Sequence, residues 1–186
     1  MKLVIGLIGE NGSGKDTFTT FFRAEAATKK IKRIKFSDIL VETLQAWEIP
    51  TSRANLQNLA IIMDEQFGKG TLTSATSKKI QNGKADVVIL EGIRWATDVK
   101  MLKKFENSIL VYITADPKTR FERMRKRKEK VGENDLTFER FKHEEKAKTE
   151  TDIPKLGKKA DFLIENNGTF EEFREKVREV FAKLKK

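Results

Sequence analysis

The chain has 186 residues, enough to bury one hydrophobic core with small insertions but hardly two full domains. Its 38 lysines and arginines exceed its 28 aspartates and glutamates, and the formal net charge of +10 points to a polyanionic partner, either nucleic acid or a phosphate-rich nucleotide. The absence of cysteine excludes disulfides and cysteine nucleophiles, and without a signal peptide or an apolar run of roughly 20 residues we expect a cytoplasmic protein with no membrane partner.

The first predicted elements are a buried strand, a glycine loop and a helix. Residues 3–8 form a short apolar run, and Phe18, Phe21 and Phe22 have helical spacing. Between them, GENGSGKDT at residues 9–17 has the GxxxxGK spacing of a phosphate-binding loop, in which glycines let backbone N–H groups face an anion. We therefore predict that ATP phosphates bind to Gly9, Asn11, Gly12, Ser13, Gly14, Lys15, Asp16 and Thr17.

Lys15 and Asp16 are adjacent charged residues of this loop. Lys15 is predicted to reach the outer phosphates of the nucleotide as a mobile positive charge. The next position usually holds Ser or Thr, whose hydroxyl ligates Mg²⁺, and Thr17 cannot simply replace it because each helical residue turns the side chain by about 100°. We predict that Asp16 holds Mg²⁺ directly or through water; the alternative is a favourable charge at a helix N-terminus.

Helices and strands alternate along the rest of the chain. The first helix is expected to run to about Lys30, and further strands are predicted at residues 31–36, 86–90, 109–113 and 160–164. The segment at about 49–83 is helical where a strand would be expected, so we interpret it as an inserted arm with an apolar face that includes Leu56, Leu59, Ile62 and Met63. The pattern predicts an α/β fold: one domain, residues 1–186, with a five-stranded parallel sheet covered on both faces.

Polar residues follow two of the predicted strands. Glu91 and Arg94 come directly after the strand at 86–90, and the carboxyl ends of parallel strands gather at one edge of the sheet. We therefore expect both beside the glycine loop. Asp38 follows the strand at 31–36 and is interpreted either as a functional group or only as a helix cap.

The helix predicted from Pro117 is rich in arginine. Arg123 and Arg127 are four residues apart and fall on one helical face. Arg120 and Arg125 are expected at the surface. A further helix is predicted from Thr137 to about residue 148.

Six motifs distributed over nearly the whole chain carry a family resemblance: GENGSGKDT, FSDIL, SRANLQNL, VVILEGIR, ITADPKTRFERMRKR and ADFLIENNGTFEEF. With them the chain resembles P-loop kinases of the nucleoside monophosphate kinase class, in particular adenylate-kinase-like and dephospho-coenzyme-A-kinase-like proteins. The GKDT form of the loop is also similar to that of deoxynucleoside monophosphate kinases. The resemblance implies a three-layer α/β/α P-loop kinase fold with an acceptor-binding arm at about 49–83 and a short lid at about 128–140.

The resemblance also implies a reaction and a set of site residues. The γ-phosphoryl group of ATP, with Mg²⁺ as cofactor, would pass to a small nucleotide, most simply a (deoxy)nucleoside monophosphate. Glu91 would join Asp16 at the metal, although family members usually have Asp at that position. Arg140 would be a second lid arginine. The implied catalytic residues are Lys15, Arg123 and Arg127, and the implied acceptor-binding residues are Asp38, Arg53, Glu91 and Arg94.

Two alternatives remain open. Dephospho-coenzyme A is another acceptor for the same type of site. A nucleic-acid-associated P-loop ATPase or polynucleotide 5′-kinase would instead use the basic surface. Single-strand binding favours aromatic residues interleaved with basic ones, and Phe121 is the one aromatic residue between Lys118 and Lys130. We therefore favour a small nucleotide as substrate, bound by a monomer or homodimer.

Overall fold

The structure, a computed structural model, describes residues 2–127, 137–146 and 150–184; the side chains of Arg53 and Arg127 lie outside this description. Its strands are β1 (Leu3–Ile8), β2 (Ile31–Lys35), β3 (Val87–Glu91), β4 (Ser108–Thr114) and β5 (Phe162–Glu165). The helices in these ranges are α1 (Lys15–Glu25), α2 (Phe36–Ala46), α3 (Arg53–Phe67), α4 (Thr71–Asn82), α5 (Ala96–Leu102), α6 (Pro117–Arg127), α7 (Phe138–Glu144), α8 (Ile153–Gly157) and α9 (Phe170–Leu184). None of the helices in the described ranges is long and apolar enough to cross a membrane.

The five strands form one parallel sheet in the order β2-β3-β1-β4-β5. The central strand β1 pairs with β3 on one side, where Leu7 lies opposite Glu91, and with β4 on the other, where Ile8 lies opposite Tyr112. The chain therefore changes direction across the sheet at β1, and a crevice opens beyond its carboxyl end. The predicted five-stranded parallel sheet is confirmed, and this crevice is where the glycine loop lies.

Two hydrophobic cores cover the two faces of the sheet. One face packs against Phe18 and Phe22 of α1 and against Phe173 and Val177 of α9. The other packs against residues of α4, α5 and α8, Ile80 among them. Because both faces are covered, the three central strands β3, β1 and β4 are almost continuously apolar, and the three-layer arrangement is confirmed.

Three elements differ from the prediction. Helix α1 ends at Glu25, because the carbonyl of Lys30 already accepts hydrogen bonds from the N–H groups of Asp86 and Val87 at the start of β3. Helix α2 begins directly after β2 at Phe36. The short helix α8 was not predicted, since five residues give too little periodicity to recognise.

The segment between β2 and β3 is helical, as predicted for the inserted arm. Leu40 and Leu44 of α2 pack against Leu59 of α3. The prediction for Ile62 is wrong, since it is 52% exposed. The buried stripe of α3 runs through Leu56, Leu59, Ala60 and Met63, the i, i+3, i+4, i+7 pattern, and Ile62 lies outside it.

The predicted lid falls largely outside the described residues. Its segment 128–136 is not described, and residues 137–140 lead into and begin α7. Helices α6 and α7 contact each other through an aromatic cluster made of Phe121, Met124, Phe138 and Phe141. This cluster joins the two helices that flank the predicted lid.

Candidate active site

The glycine loop is tightly packed between α6 and the turn after β5. Gly12 and Gly14 have φ values of +77° and +107°, a region that favours glycine. A Cβ atom on Gly12 would lie 2.5 Å from the backbone oxygen of Arg120, and one on Gly14 would lie 2.4 Å from Nδ2 of Asn166. Both glycines are therefore required for backbone conformation and for space.

Hydrogen bonds hold this loop from outside. Nδ2 of Asn166 donates to the backbone oxygen of Ser13 at 2.9 Å, and the Asn166 N–H donates to the oxygen of Thr114 at 2.7 Å. The hydroxyl of Tyr112 donates to Oε1 of Glu10 at 2.6 Å. Burial and this carboxylate raise the pKa of Tyr112 to about 12. The loop is thus preorganised, which reduces the ordering cost of binding a ligand.

Helix α1 begins at Lys15, directly after Gly14. Glycine has no side chain that could cap the helix, so it provides no acceptor for the first N–H groups of α1. These groups and the positive end of the helix dipole therefore suit a phosphate. The predicted ligands Gly9, Asn11, Ser13 and Thr17 all lie in this loop or the first turn of α1.

The Lys15 side chain folds back over the loop. Its Nζ atom donates to the backbone oxygens of Gly9, at 2.7 Å, and Glu10, at 2.8 Å. Burial, and next the positive charge of Arg94, lower the pKa of Lys15 to about 8, against the opposite effect of carboxylates including Glu150. A buried ammonium close to a second cation has much to gain from an anion that binds between them.

Asp16 and Glu91 lie close together, on either side of an arginine. Glu91 ends β3, is 5% exposed, and its Oε1 accepts a hydrogen bond of 3.0 Å from the hydroxyl of Thr19. Its Oε2 accepts from Nη2 of Arg33 at 2.5 Å, and the same Nη2 donates to Oδ1 of Asp16. Burial alone would lower the pKa of Arg33, but hydrogen bonds to the two carboxylates raise it. Arg33 was not predicted as a site residue.

The carboxylates of Asp16 and Glu91 could supply two of the oxygen ligands of a Mg²⁺ ion. Among the described residues there is no group of three or more histidine or acidic side chains that could hold a metal ion alone. Mg²⁺ usually binds one or two carboxylates together with substrate phosphates and water. Two carboxylates that contact one cationic nitrogen next to the glycine loop fit that arrangement.

The turn that carries Arg94 is held by Asp98 and Glu150. Oδ2 of Asp98 accepts from the N–H groups of Arg94 and Trp95 at 3.0 and 3.1 Å, and Oδ1 accepts from the hydroxyl of Thr73 at 3.3 Å. Burial raises the pKa of Asp98 in spite of these hydrogen bonds. Nη1 of Arg94 donates to the carboxylate of Glu150. Since Thr73 belongs to α4, Asp98 ties the arm to the Arg94 turn.

Sequence reasoning missed Asp98 and Glu150 for different reasons. Asp98 is the third residue of α5, and an acidic residue there is a recognisable helix-start signal. Glu150 is 56 positions from Arg94, and no local pattern links the two.

The remaining predicted residues are placed as follows. Oδ2 of Asp38 accepts from the N–H of Lys35 at 2.8 Å, so Asp38 acts as a helix cap in this structure. Arg123 lies beside the loop, where its Nη1 donates to the backbone oxygen of Asn166 at 2.8 Å and burial lowers its pKa. Arg140 is exposed and pairs with Glu144 at 3.2 Å.

Arg53 and Arg127 are placed only by their backbones. Arg53 is the first residue of α3, at the start of the arm, and Arg127 is the last residue of α6. Their side chains are outside the described part of the structure. Their assigned roles stay predictions.

The expectation that Arg120 lies at the surface is wrong, because it is 5% exposed. Its Nε donates to the oxygen of Ala115 at 2.7 Å, Nη1 pairs with Glu145, and the guanidinium lies 5.5 Å from the centre of the Phe141 ring. With its backbone against Gly12, Arg120 joins the glycine loop to the segment that includes α7. Helix α6 contains four arginines, and its composition gives no signal that distinguishes the buried Arg120 from the other three.

Comparison with known proteins finds relatives over the full chain, although no family model matches. The chain is 30% identical over 189 residues to UPF0200 protein PH1008 of Pyrococcus horikoshii, covering 98% of this chain and 97% of the relative. It is also 30% identical over 189 residues to UPF0200 protein MMP1282 of Methanococcus maripaludis, covering 99% and 98%. A UPF0200 protein of Hyperthermus butylicus is 26% identical over 183 residues, covering 98% and 95%.

Solved structures share the fold. The crystal structure of TT1252 from Thermus thermophilus matches with a TM-score of 0.62 at 18% identity, covering 98% of each chain. Shikimate kinase from Bacteroides thetaiotaomicron matches with a TM-score of 0.62 at 13% identity, covering 97% of this chain and 98% of that one. Shikimate kinase from Acinetobacter baumannii, in complex with shikimate, gives 0.57 at 15% identity, covering 99% and 93%. The fold is therefore that of the P-loop kinases.

Proposed function

The chain belongs to the UPF0200 family, and we propose that it is an ATP-dependent phosphotransferase that moves the γ-phosphoryl group to a small nucleotide. The observation that carries this proposal is a preorganised glycine loop whose Lys15 is within electrostatic range of Arg94. A (deoxy)nucleoside monophosphate is the first candidate acceptor, and dephospho-coenzyme A is the alternative. We further propose that residues 1–186 form one kinase domain with a lid at about 128–140.

On the donor side, the protein would fix the phosphates of ATP in place and stabilise their negative charge. Phosphoryl transfer requires the donor oxygens to be fixed and their developing charge stabilised. Lys15 and the first N–H groups of α1 would hold the outer phosphates, with Arg123 and Arg127 as further donor-side cations. Asp16 and Glu91 would hold Mg²⁺. When bound, Mg²⁺ would neutralise part of the charge on the donor phosphates.

On the acceptor side, Arg94 and the arm would position the second substrate. Arg94 would exchange its ion pair with Glu150 for the acceptor's phosphate. Arg53 would hold the same phosphate from the arm, with Asp38 at the edge of the pocket. The hydrogen bond between Thr73 and Asp98 supports this arrangement, since it connects the arm with the Arg94 turn.

The function is tested by incubating the protein with Mg-ATP and a panel of acceptors. The panel contains ribonucleoside and deoxyribonucleoside monophosphates, dephospho-coenzyme A and 5′-hydroxyl oligonucleotides, and the products are resolved by chromatography. We expect a nucleoside diphosphate. Phosphorylation of the oligonucleotide alone would favour the nucleic-acid class, and nucleotide binding without transfer to any acceptor would contradict the kinase proposal.

Substitution of Asp16 tests its metal role. We expect Asp16→Ala to bind nucleotide with a clearly weaker dependence on Mg²⁺, because one of two candidate metal carboxylates is lost. The measurement is nucleotide affinity at a series of free Mg²⁺ concentrations. An unchanged Mg²⁺ dependence would leave Asp16 as only a helix N-terminal charge.

Substitution of Arg53 tests the arm. We expect Arg53→Ala to raise KM for the acceptor by roughly 10 to 100-fold, since a hydrogen bond to a charged group contributes about 1.5–3 kcal/mol. KM for ATP should change little, because Arg53 belongs to the arm and not to the glycine loop. Equal changes in both KM values, measured by initial rates, would remove this assignment.

A further inference from the structure

The arginine between Asp16 and Glu91 lies where the proposed metal site needs a cation. Arg33 is on β2, an edge strand of the sheet, and its side chain is 27% exposed. One nitrogen, Nη2, contacts both carboxylates, while the buried Nε has no hydrogen-bond partner among the described residues. Thr19 holds the other oxygen of Glu91.

From this geometry we infer that Arg33 is an internal counter-ion, which holds Asp16 and Glu91 together without metal and is displaced when Mg²⁺ enters with a nucleotide. The inference rests on the proposed function, since it needs a Mg-nucleotide to bind at the glycine loop. Under this inference, Arg33 sets the Mg²⁺ concentration that nucleotide binding requires.

Two like charges explain why a cation is needed. Asp16 and Glu91 come from separate elements and would repel each other if unpaired, and Glu91 is buried, where an unpaired charge is costly. A guanidinium between them removes that cost. The carboxylates therefore keep their positions before the metal arrives.

The guanidinium and the metal cannot occupy the site together. Both oxygens of Glu91 already have a donor, Thr19 on Oε1 and Arg33 on Oε2. Mg²⁺ requires oxygen ligands at about 2.0–2.1 Å in octahedral geometry, and it repels a neighbouring cation. Entry of the metal between these carboxylates therefore requires Nη2 of Arg33 to leave.

Arg33 can leave at low cost. Its strand is at the edge of the sheet and its side chain is partly exposed, so the guanidinium can move into water. After it leaves, Glu91 keeps the hydrogen bond from Thr19, which preserves the orientation of the carboxylate. The exchange replaces one positive charge with two, which favours binding of the donor phosphates.

The test measures how much Mg²⁺ is needed for nucleotide binding. A fluorescent, non-hydrolysable ATP analogue is bound at a series of free Mg²⁺ concentrations by the parent protein, by Arg33→Gln and by Arg23→Gln. Arg23 is an exposed arginine on α1, so its substitution removes the same charge away from the carboxylates. We expect Arg33→Gln to need about tenfold less Mg²⁺, equivalent to about 1.4 kcal/mol, and Arg23→Gln to match the parent.

The outcomes separate this inference from the proposed function. If the parent binds the analogue with Mg²⁺ but Arg33→Gln needs as much Mg²⁺ or more, the counter-ion role is overturned while the nucleotide site stands. If the parent does not bind the analogue at all, both are overturned. A lower Mg²⁺ requirement in Arg33→Gln but not in Arg23→Gln supports the inference.

A second measurement uses the unaltered chain, in case Arg33→Gln does not fold. The arginine Nε–H resonance of Arg33, assigned with Arg33→Lys, is followed by ¹⁵N NMR. We expect it to shift when the analogue is added with Mg²⁺ and to stay in place when the analogue is added with EDTA. The same resonance position in both conditions would overturn the displacement of Arg33.

Discussion

Lys15→Ala is expected to lower kcat/KM for phosphoryl transfer by about 10³-fold or more, in the range seen when one charge-stabilising group is removed. We expect this loss because the ammonium is held at the glycine loop, where Nζ of Lys15 donates to two carbonyl oxygens at 2.7 and 2.8 Å. Lys15 is the one lysine of the glycine loop, so no other residue of this loop can supply an ammonium in its place. The measurement is initial rates with Mg-ATP and the best acceptor of the panel.

The same substitution should not destabilise the fold. Burial lowers the pKa of Lys15 in the folded chain to about 8, below its ordinary 10.5. At neutral pH the folded state therefore holds this proton less tightly than the unfolded state, so the charged side chain opposes folding. We expect Lys15→Ala to keep or raise Tm. Loss of turnover together with a large fall in Tm would show that the substitution acts through folding.

Gly14→Ala is expected to weaken nucleotide binding by about 10²-fold, the scale of effect that a displacement of about 1 Å has on a preorganised site. Gly14 has a φ of +107°, and an added Cβ would lie 2.4 Å from Nδ2 of Asn166. The methyl group would therefore displace the amide that holds the oxygen of Ser13. The loop would lose both its backbone conformation and its outer support.

Gly70→Ala is the matched control for this variant. Gly70 also has a positive φ, of +94°, and also precedes a helix, but nothing lies within 4 Å of its added Cβ. Each substitution carries a cost of about 1–2 kcal/mol for the left-handed conformation. Nucleotide affinity is measured by titration calorimetry, and Tm by thermal unfolding. Equal losses of affinity in the two variants would contradict a specific role for the contact with Asn166.

The sheet and the glycine loop could be predicted because their signals are local. Most strands are short apolar runs, and the glycine and lysine spacing that identifies the loop lies within residues 9–17. The strand ends then placed Glu91 near the loop through the general rule for parallel sheets. Each of these predictions relied either on residues that are close in sequence or on a rule that applies to the whole sheet.

Contacts between distant polar residues could not be predicted. Arg33 contacts Glu91 from 58 positions away, and Arg120 contacts Glu145 from 25 positions away. An alternating strand such as residues 31–36 looks like a solvated edge, and nothing in it indicates that one arginine reaches two carboxylates. Long charged side chains reach partners that the periodicity of their own element does not specify.

The hydrogen bond from Asn166 to Ser13 determines when the glycine loop can become ordered during synthesis of the chain. The Asn166 amide supports Ser13 across a sequence separation of 153 residues, so the glycine loop after β1 is held by a residue that follows β5. During synthesis, the glycine segment leaves the ribosome long before the amide that fixes it. Under the proposed function, we therefore expect a nascent polypeptide to bind ATP only after β5 has docked.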